Sequence, residues 1–171
     1  MSKMNKTTRL VITGLFAALI CISISLFHIP TGINGGYIHL GDTFIYLSAC
    51  FLPMPYAMVS AAIGGGLADG LTGAIIWVIP TIIIKPLLVI LFSYSSKKII
   101  CIRNIFGVFL SGIIGVIGYF IAEGIIYGSF IAALASVPLQ LIQPIGSGII
   151  FILVGYALDK IKIKEKLNIE A

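Results

Sequence analysis

The sequence predicts an all-α integral membrane protein of six transmembrane helices, with both termini in the cytoplasm (N-in/C-in) and a structured external loop 1. Composition is the first reason. Of 171 residues, 59% are hydrophobic and only 10% charged, whereas a soluble domain is roughly 25% charged. Mean hydropathy is +1.15. The second reason is length, since the apolar runs approach the ~20 residues that a helix needs to cross a bilayer. The third is the placement of the basic residues. Ten of the eleven lie in three clusters: Lys3, Lys6 and Arg9; Lys97, Lys98 and Arg103; and Lys160, Lys162, Lys164 and Lys166. Cytoplasmic loops carry such an excess.

In chain order, the first helix is expected at about 9–28. Its basic lead resembles a secretory signal, but the apolar run is longer than a usual h-region, lacks a small-x-small cleavage site and is followed by further spans. It is read as a retained helix. Next comes a polar, glycine-rich loop over 29–42. The stretches 42–52 and 56–69 are short and separated by Pro53 and Pro55, and form either two short or tilted helices or a re-entrant pair. Either arrangement returns the chain to the side it left. Helices follow at 74–95, 105–127 and 135–158, giving a single membrane domain over 1–171. Loops 29–42, 69–73 and 128–134 then lie outside, and none contains Lys or Arg.

Rows of small residues mark helix contacts. Gly14 with Ala18, and Ala17 with Cys21, form two such rows on helix 1; Ser60 precedes Gly64; and Gly107, Ser111 and Gly115 form another row. These rows pack helices within the chain, or, on helix 1, face a separate membrane subunit. Cys21, Cys50 and Cys101 stand far apart with no CxxC pair, which indicates neither zinc nor disulfides.

Several function classes fall away. A net charge of +5 implies nucleic acid only where bases form a patch on a soluble face, and here topology accounts for them. The lipid bilayer is the expected partner of those basic clusters, the C-terminal lysines being read as a topology and lipid-surface feature. There is no phosphate-loop, H-E-x-x-H or G-x-S-x-G motif. No cofactor or metal is expected, and any ATP-driven step needs another subunit.

What remains is a polar constellation in apolar surroundings. Trp77, Thr81 and Lys85 are spaced i, i+4, i+8, as are Tyr119, Glu123 and Tyr127; Gln140 and Gln143 share a side of the last helix. The external loop adds Asn34, Tyr37, His39 and Asp42, with Tyr46 just inside and Asp69 at the end of helix 3. Amides, aromatics and a few charges beneath a glycine-rich loop suit a small planar ligand rich in heteroatoms: rings stack it, while amides and carboxylates read its edge. Each group also has an ordinary alternative. Lys85 pairs structurally with Glu123 or Asp69, or serves the ligand. Asp42 and Asp69 cap helices or bind. His39 is a ligand contact or solvated, and Trp77 is a pocket wall or an interfacial belt residue.

The run Gly35-Gly-Tyr-Ile-His-Leu-Gly-Asp-Thr-Phe-Ile-Tyr-Leu47, then Gly64-Gly-Gly-Leu-Ala-Asp69 and Thr81-Ile-Ile-Ile-Lys85, resembles the substrate-binding S-components of energy-coupling factor (ECF) vitamin transporters. Within them it is most similar to the hydroxymethylpyrimidine and pyridoxine branch, related to the riboflavin type. The resemblance implies a subunit that captures a vitamin from outside under its first loop. It then docks through small residues of helix 1 on a transmembrane coupling subunit carrying two ATPase subunits, and topples to release inside. Gly14 and Ala18 match the family's Ala-x-x-x-Ala docking pattern with a departure at the first position; Ala17 and Cys21 are the other candidate row. Two further readings compete: a self-sufficient proton-coupled transporter using Lys85, Asp69 and Glu123, and a membrane enzyme using Asp42, His39 and Asp69 on a lipid-like substrate. The absence of a recognisable internal repeat and of a D-x-x-D spacing counts against them.

Overall fold

A computed structural model describes residues 4–167 and Ile169. Helix α1 (Lys6–Leu26) starts where the Asn5 side chain accepts the Thr8 amide at 2.7 Å, which satisfies one of the free donors of a first turn. A two-stranded antiparallel ribbon follows, β1 (Ile29–Pro30) and β2 (Tyr37–Ile38), with Ile29 opposite Ile38 and Pro30 opposite Tyr37.

Helix α2 (Asp42–Phe51) is ten residues long, and all but Phe44 are buried. This central position explains why the stretch reads weakly as a span: a helix enclosed by other helices needs no lipid-facing stripe. Leu52 is extended ahead of Pro53, which disfavours helical backbone in the residue before it. Helix α3 (Met54–Leu71) then runs eighteen residues, longer at both ends than the expected 56–69.

Three glycines make α3 the hub. A Cβ on Gly64 would stand 2.6 Å from the Ala17 carbonyl oxygen of α1, and one on Gly65 would stand 2.7 Å from Thr81 Cγ2. A Cβ on Gly66 would meet Ile82 at 2.8 Å. The first contact is with backbone, which cannot swing aside. Gly64→Ala is therefore expected to separate α1 from α3 and cost ~1–3 kcal/mol, whereas Gly14→Ala, inside α1 with nothing within 4 Å of its added carbon, should cost nothing and raise the thermal midpoint in detergent through the ~0.5–1 kcal/mol of helix propensity.

The expected helix over 74–95 is corrected by the structure. A 3-10 turn at Ile75–Trp77 leads into α4 (Val78–Leu87), after which Leu88, Val89, Ile90 and Phe92 bond three residues back. Pro86 is the cause: it has no N–H, and its ring crowds the carbonyl four residues earlier. The tightened segment turns Leu88, Val89 and Phe92 into the core. There Tyr46 stacks on Phe92 at 5.1 Å, and Phe151 meets the two rings edge-on at 5.9 and 5.7 Å.

Helix α5 (Ile102–Ile126) and helix α6 (Phe130–Lys160) pair along their lengths, with Pro144 of α6 against Gly112 of α5. Helices α1, α5 and α6 are long and apolar enough to cross a membrane, and Ile75–Leu87 is a shorter apolar stretch. Their outward residues, such as Ile117, Ile121, Ile145 and Ile149, are bare hydrocarbon, a surface that suits lipid. A short α7 (Ile163–Lys166) closes the chain end. Lys164, expected at the lipid surface, is instead 1% exposed and donates to the carbonyls of Tyr94 and Ser96. Asp159 accepts the Ile99 and Ile100 amides at 2.7 and 2.8 Å. Asp159 ties the 93–101 segment to the end of α6, and Lys164 ties it to α7.

Candidate functional site

The connection between α1 and α2 is folded as a lid. Gly32, Asn34 and Gly35 have φ of 73°, 49° and 63°, left-handed values that glycine and asparagine tolerate best. Thr31 closes the turn, its amide and hydroxyl both donating to the Gly36 carbonyl, at 3.0 and 2.8 Å. The tip is fastened to α5: Tyr127 donates its hydroxyl to the Asn34 carbonyl at 2.6 Å, and the Asn34 amide donates to Glu123. Further along, the Tyr37 hydroxyl donates to Asp69 on α3, and the Tyr37 ring lies on His28 at 3.9 Å.

Beneath the lid is a chamber of ≈ 80 Å³, bounded by α2, α3, α4, α5 and α6. Ten of the twelve expected ligand residues line it: Tyr37, His39, Asp42, Tyr46, Trp77, Thr81, Lys85, Glu123, Gln140 and Gln143. Asn34 and Tyr127 do not; they hold the lid in place. Asp69 is also on the wall. The spacing of four residues puts Trp77, Thr81 and Lys85 on one face of the α4 segment, and α5 answers with Tyr119 and Glu123.

Two polar groups organise the walls. In the first, Lys85 Nζ lies 2.6 Å from Asp42 Oδ1, and Gln143 donates to Asp42 Oδ2 at 2.7 Å. Lys85 and Asp42 are 1% and 3% exposed, so their charges compensate each other rather than being hydrated. This corrects the expected pairing of Lys85 with Glu123 or Asp69. It also removes the capping role for Asp42, whose side chain makes no cap bond although it opens α2. Asp69 lies inside α3, two residues before its end, and likewise faces the lid. The Lys85 ammonium sits 5.3 Å above the Tyr119 ring, and the Tyr119 and Thr81 hydroxyls bond at 2.9 Å.

In the second group, Glu123 accepts from Asn34, from Ser136, and from Gln140 at 2.9 Å. Ser136 was missed in the sequence. Its signal was present as the four-residue spacing to Gln140, whose amide donates to it at 2.8 Å. The inner floor, formed by Leu88, Ser111, Gly112, Gly115, Val116 and Pro144, was also missed, because small and apolar residues look alike whether they face a cavity or a neighbouring helix.

His39 accepts the Gly41 amide on Nδ1 at 3.0 Å, with Nε2 3.5 Å from Lys85. Burial and the ammonium beside it push its pKa down to about 3, so the ring is neutral at physiological pH. Burial and the adjacent Asp69 raise the Tyr37 phenol, which stays a donor. Trp77 is 5% exposed and stands between Tyr119 and Tyr127, at 6.0 and 6.5 Å. It is a chamber wall and not a belt residue.

On helix 1 the two small-residue rows separate. Gly14 and Ala18 are exposed, while Ala17 is buried against Gly64 and Cys21 is half-buried. Ala17 is thereby corrected from a docking residue to an internal one.

A lidded chamber with polar and aromatic side chains on its walls, inside a bundle with a hydrocarbon exterior, defines a helical membrane protein with an internal pocket. The comparison of sequences makes this specific: the model of the ECF-type riboflavin transporter S component family matches residues 4–160, and the chain belongs to that family. No curated protein matches it. Members of this family are transporter subunits and not enzymes.

Proposed function

We propose that the chain captures a small water-soluble vitamin or precursor, of the hydroxymethylpyrimidine or pyridoxine kind, and delivers it through an ATP-driven ECF complex. The observation that carries the reading is the lidded chamber, because its inventory is one of recognition. Rings at Trp77 and Tyr119 suit stacking. Amides and carboxyls at Gln140, Gln143 and Asp69 suit the edge of a heterocycle. Its volume of ≈ 80 Å³ is about half that of a ~150 Å³ cavity able to admit benzene, so even a single ring enters only when the lid or the wall side chains give way. A monocyclic vitamin asks for less of that movement than a tricyclic flavin does.

In this reading both termini are cytoplasmic, the lid is outside and the chain makes six crossings in one domain; the bias of basic clusters supports the orientation. Capture then occurs at the lid and docking at the exposed row of Gly14 and Ala18, where a coupling subunit with two ATPase subunits approaches closely. The measurement is a titration of purified protein with hydroxymethylpyrimidine, pyridoxine, thiamine and riboflavin, following emission of the single Trp77. Hydroxymethylpyrimidine or pyridoxine is expected to change that emission with a Kd below ~10 μM, that is, about −7 kcal/mol or better. Silence toward all four, in emission and calorimetry alike, would overturn vitamin capture.

A further inference from the structure

The chamber contains more anionic groups than cationic ones, and its unpartnered atoms are specific. Asp42, Asp69 and Glu123 line it together with Lys85 and the neutral His39. Lys85 is committed to Asp42 at 2.6 Å. Glu123 is surrounded by neutral donors from Asn34, Ser136 and Gln140. That leaves Asp69, 1% exposed, which accepts from Tyr37 on Oδ1 and has only the Thr81 hydroxyl, itself bonded to Tyr119, beside its other oxygen. Among the described residues no cation pairs with it. Three wall atoms have no partner: Gln140 Oε1, which accepts, the Trp77 indole N–H, which donates, and the Tyr46 hydroxyl. Buried polar atoms are nearly always satisfied, and a buried carboxylate lacking a countercharge is costly.

The geometry points to a ligand bound as a cation: a protonated nitrogen heterocycle or amine whose charged N–H donates to Asp69 Oδ2, with a second donor for Gln140 Oε1 and an acceptor for the Trp77 N–H. The inference rests on the vitamin-capture reading and names the charge state that this site selects. The groups facing Asp69 are Tyr37 and His28 of the lid side, Thr81 and Lys85 of α4 and Tyr119 of α5. Lys85 does not replace the ligand, because its ammonium is held by Asp42. A basic aminopyrimidine or pyridine meets the demand by taking one proton from water, whereas a flavin ring, neutral near pH 7, does not.

Calorimetry of the intact protein with hydroxymethylpyrimidine, in two buffers of different ionisation enthalpy, reads the protons taken up on binding. The range of pH 6.5 to 8.5 avoids protonation of His39. Uptake of one proton is expected, with affinity falling about tenfold per pH unit above the ligand's own pKa. The ultraviolet spectrum of the bound pyrimidine should be that of its protonated ring. Asp69→Asn should weaken hydroxymethylpyrimidine at least tenfold and abolish the uptake. Should Asp69→Asn fail to fold, the spectrum and the proton count of the wild-type protein decide alone. Binding without proton uptake, a neutral bound spectrum, or riboflavin binding as tightly as the pyrimidine would overturn the charge selection while vitamin capture stood. If no vitamin bound at all, both readings would fall together.

Discussion

Lys85→Met is expected to destabilise the protein by ~3–5 kcal/mol, the cost of leaving a buried charge without its partner. Asp42 would remain 3% exposed with only the Gln143 amide, 2.7 Å away, and no water to hydrate it. The double variant Lys85→Met/Asp42→Leu should recover most of that loss, because two apolar side chains leave no charge behind. Denaturant unfolding in detergent measures both, and equal losses in the single and double variants would sink the argument. The exposed pair Lys162–Glu165, 3.7 Å apart with side chains 71% and 50% exposed, is the internal control. Its removal is expected to cost ~0–1 kcal/mol. Vitamin affinity should fall with Lys85→Met too, since the same pair forms one wall of the chamber.

The second large effect is expected from Gly14→Leu or Ala18→Leu: vitamin binding unchanged, ATP-driven uptake abolished. Both positions are exposed on α1, and an added carbon at Gly14 meets nothing within 4 Å. The bulk is therefore tolerated in the isolated chain and obstructs only a partner whose helix must come close. Reconstituted uptake with coupling and ATPase subunits, beside calorimetric binding to the same preparation, separates the two. Retained uptake would place docking elsewhere, and lost binding would mean that α1 contributes to the chamber. Ala17→Leu provides the contrast. Ala17 is buried, with its carbonyl oxygen beside Gly64 of α3, and the larger side chain should lower stability by ~1–3 kcal/mol, reducing binding and uptake together.

Hydrocarbon content and run length were enough to read a helical membrane protein, because a bilayer imposes both on any chain that crosses it. The motifs around Gly35–Asp42, Gly64–Asp69 and Thr81–Lys85 were enough to read the transporter class, and polar side chains at four-residue spacing on α4 and α5 and three-residue spacing on α6 were enough to nominate wall residues. Three other features were settled only by the tertiary structure. Lys85 chose Asp42 over Asp69 and Glu123 because α2 is threaded through the bundle centre and brings Asp42 within 2.6 Å, a long-range proximity that no spacing encodes. Ala17 and Gly14, three residues apart on one helix, have opposite surroundings because α3 covers one face of α1 and leaves the other bare. Asn34 and Tyr127 became fasteners of the lid, and Asp69 the carboxyl that the lid's Tyr37 covers, because partners are assigned by packing after the helices meet.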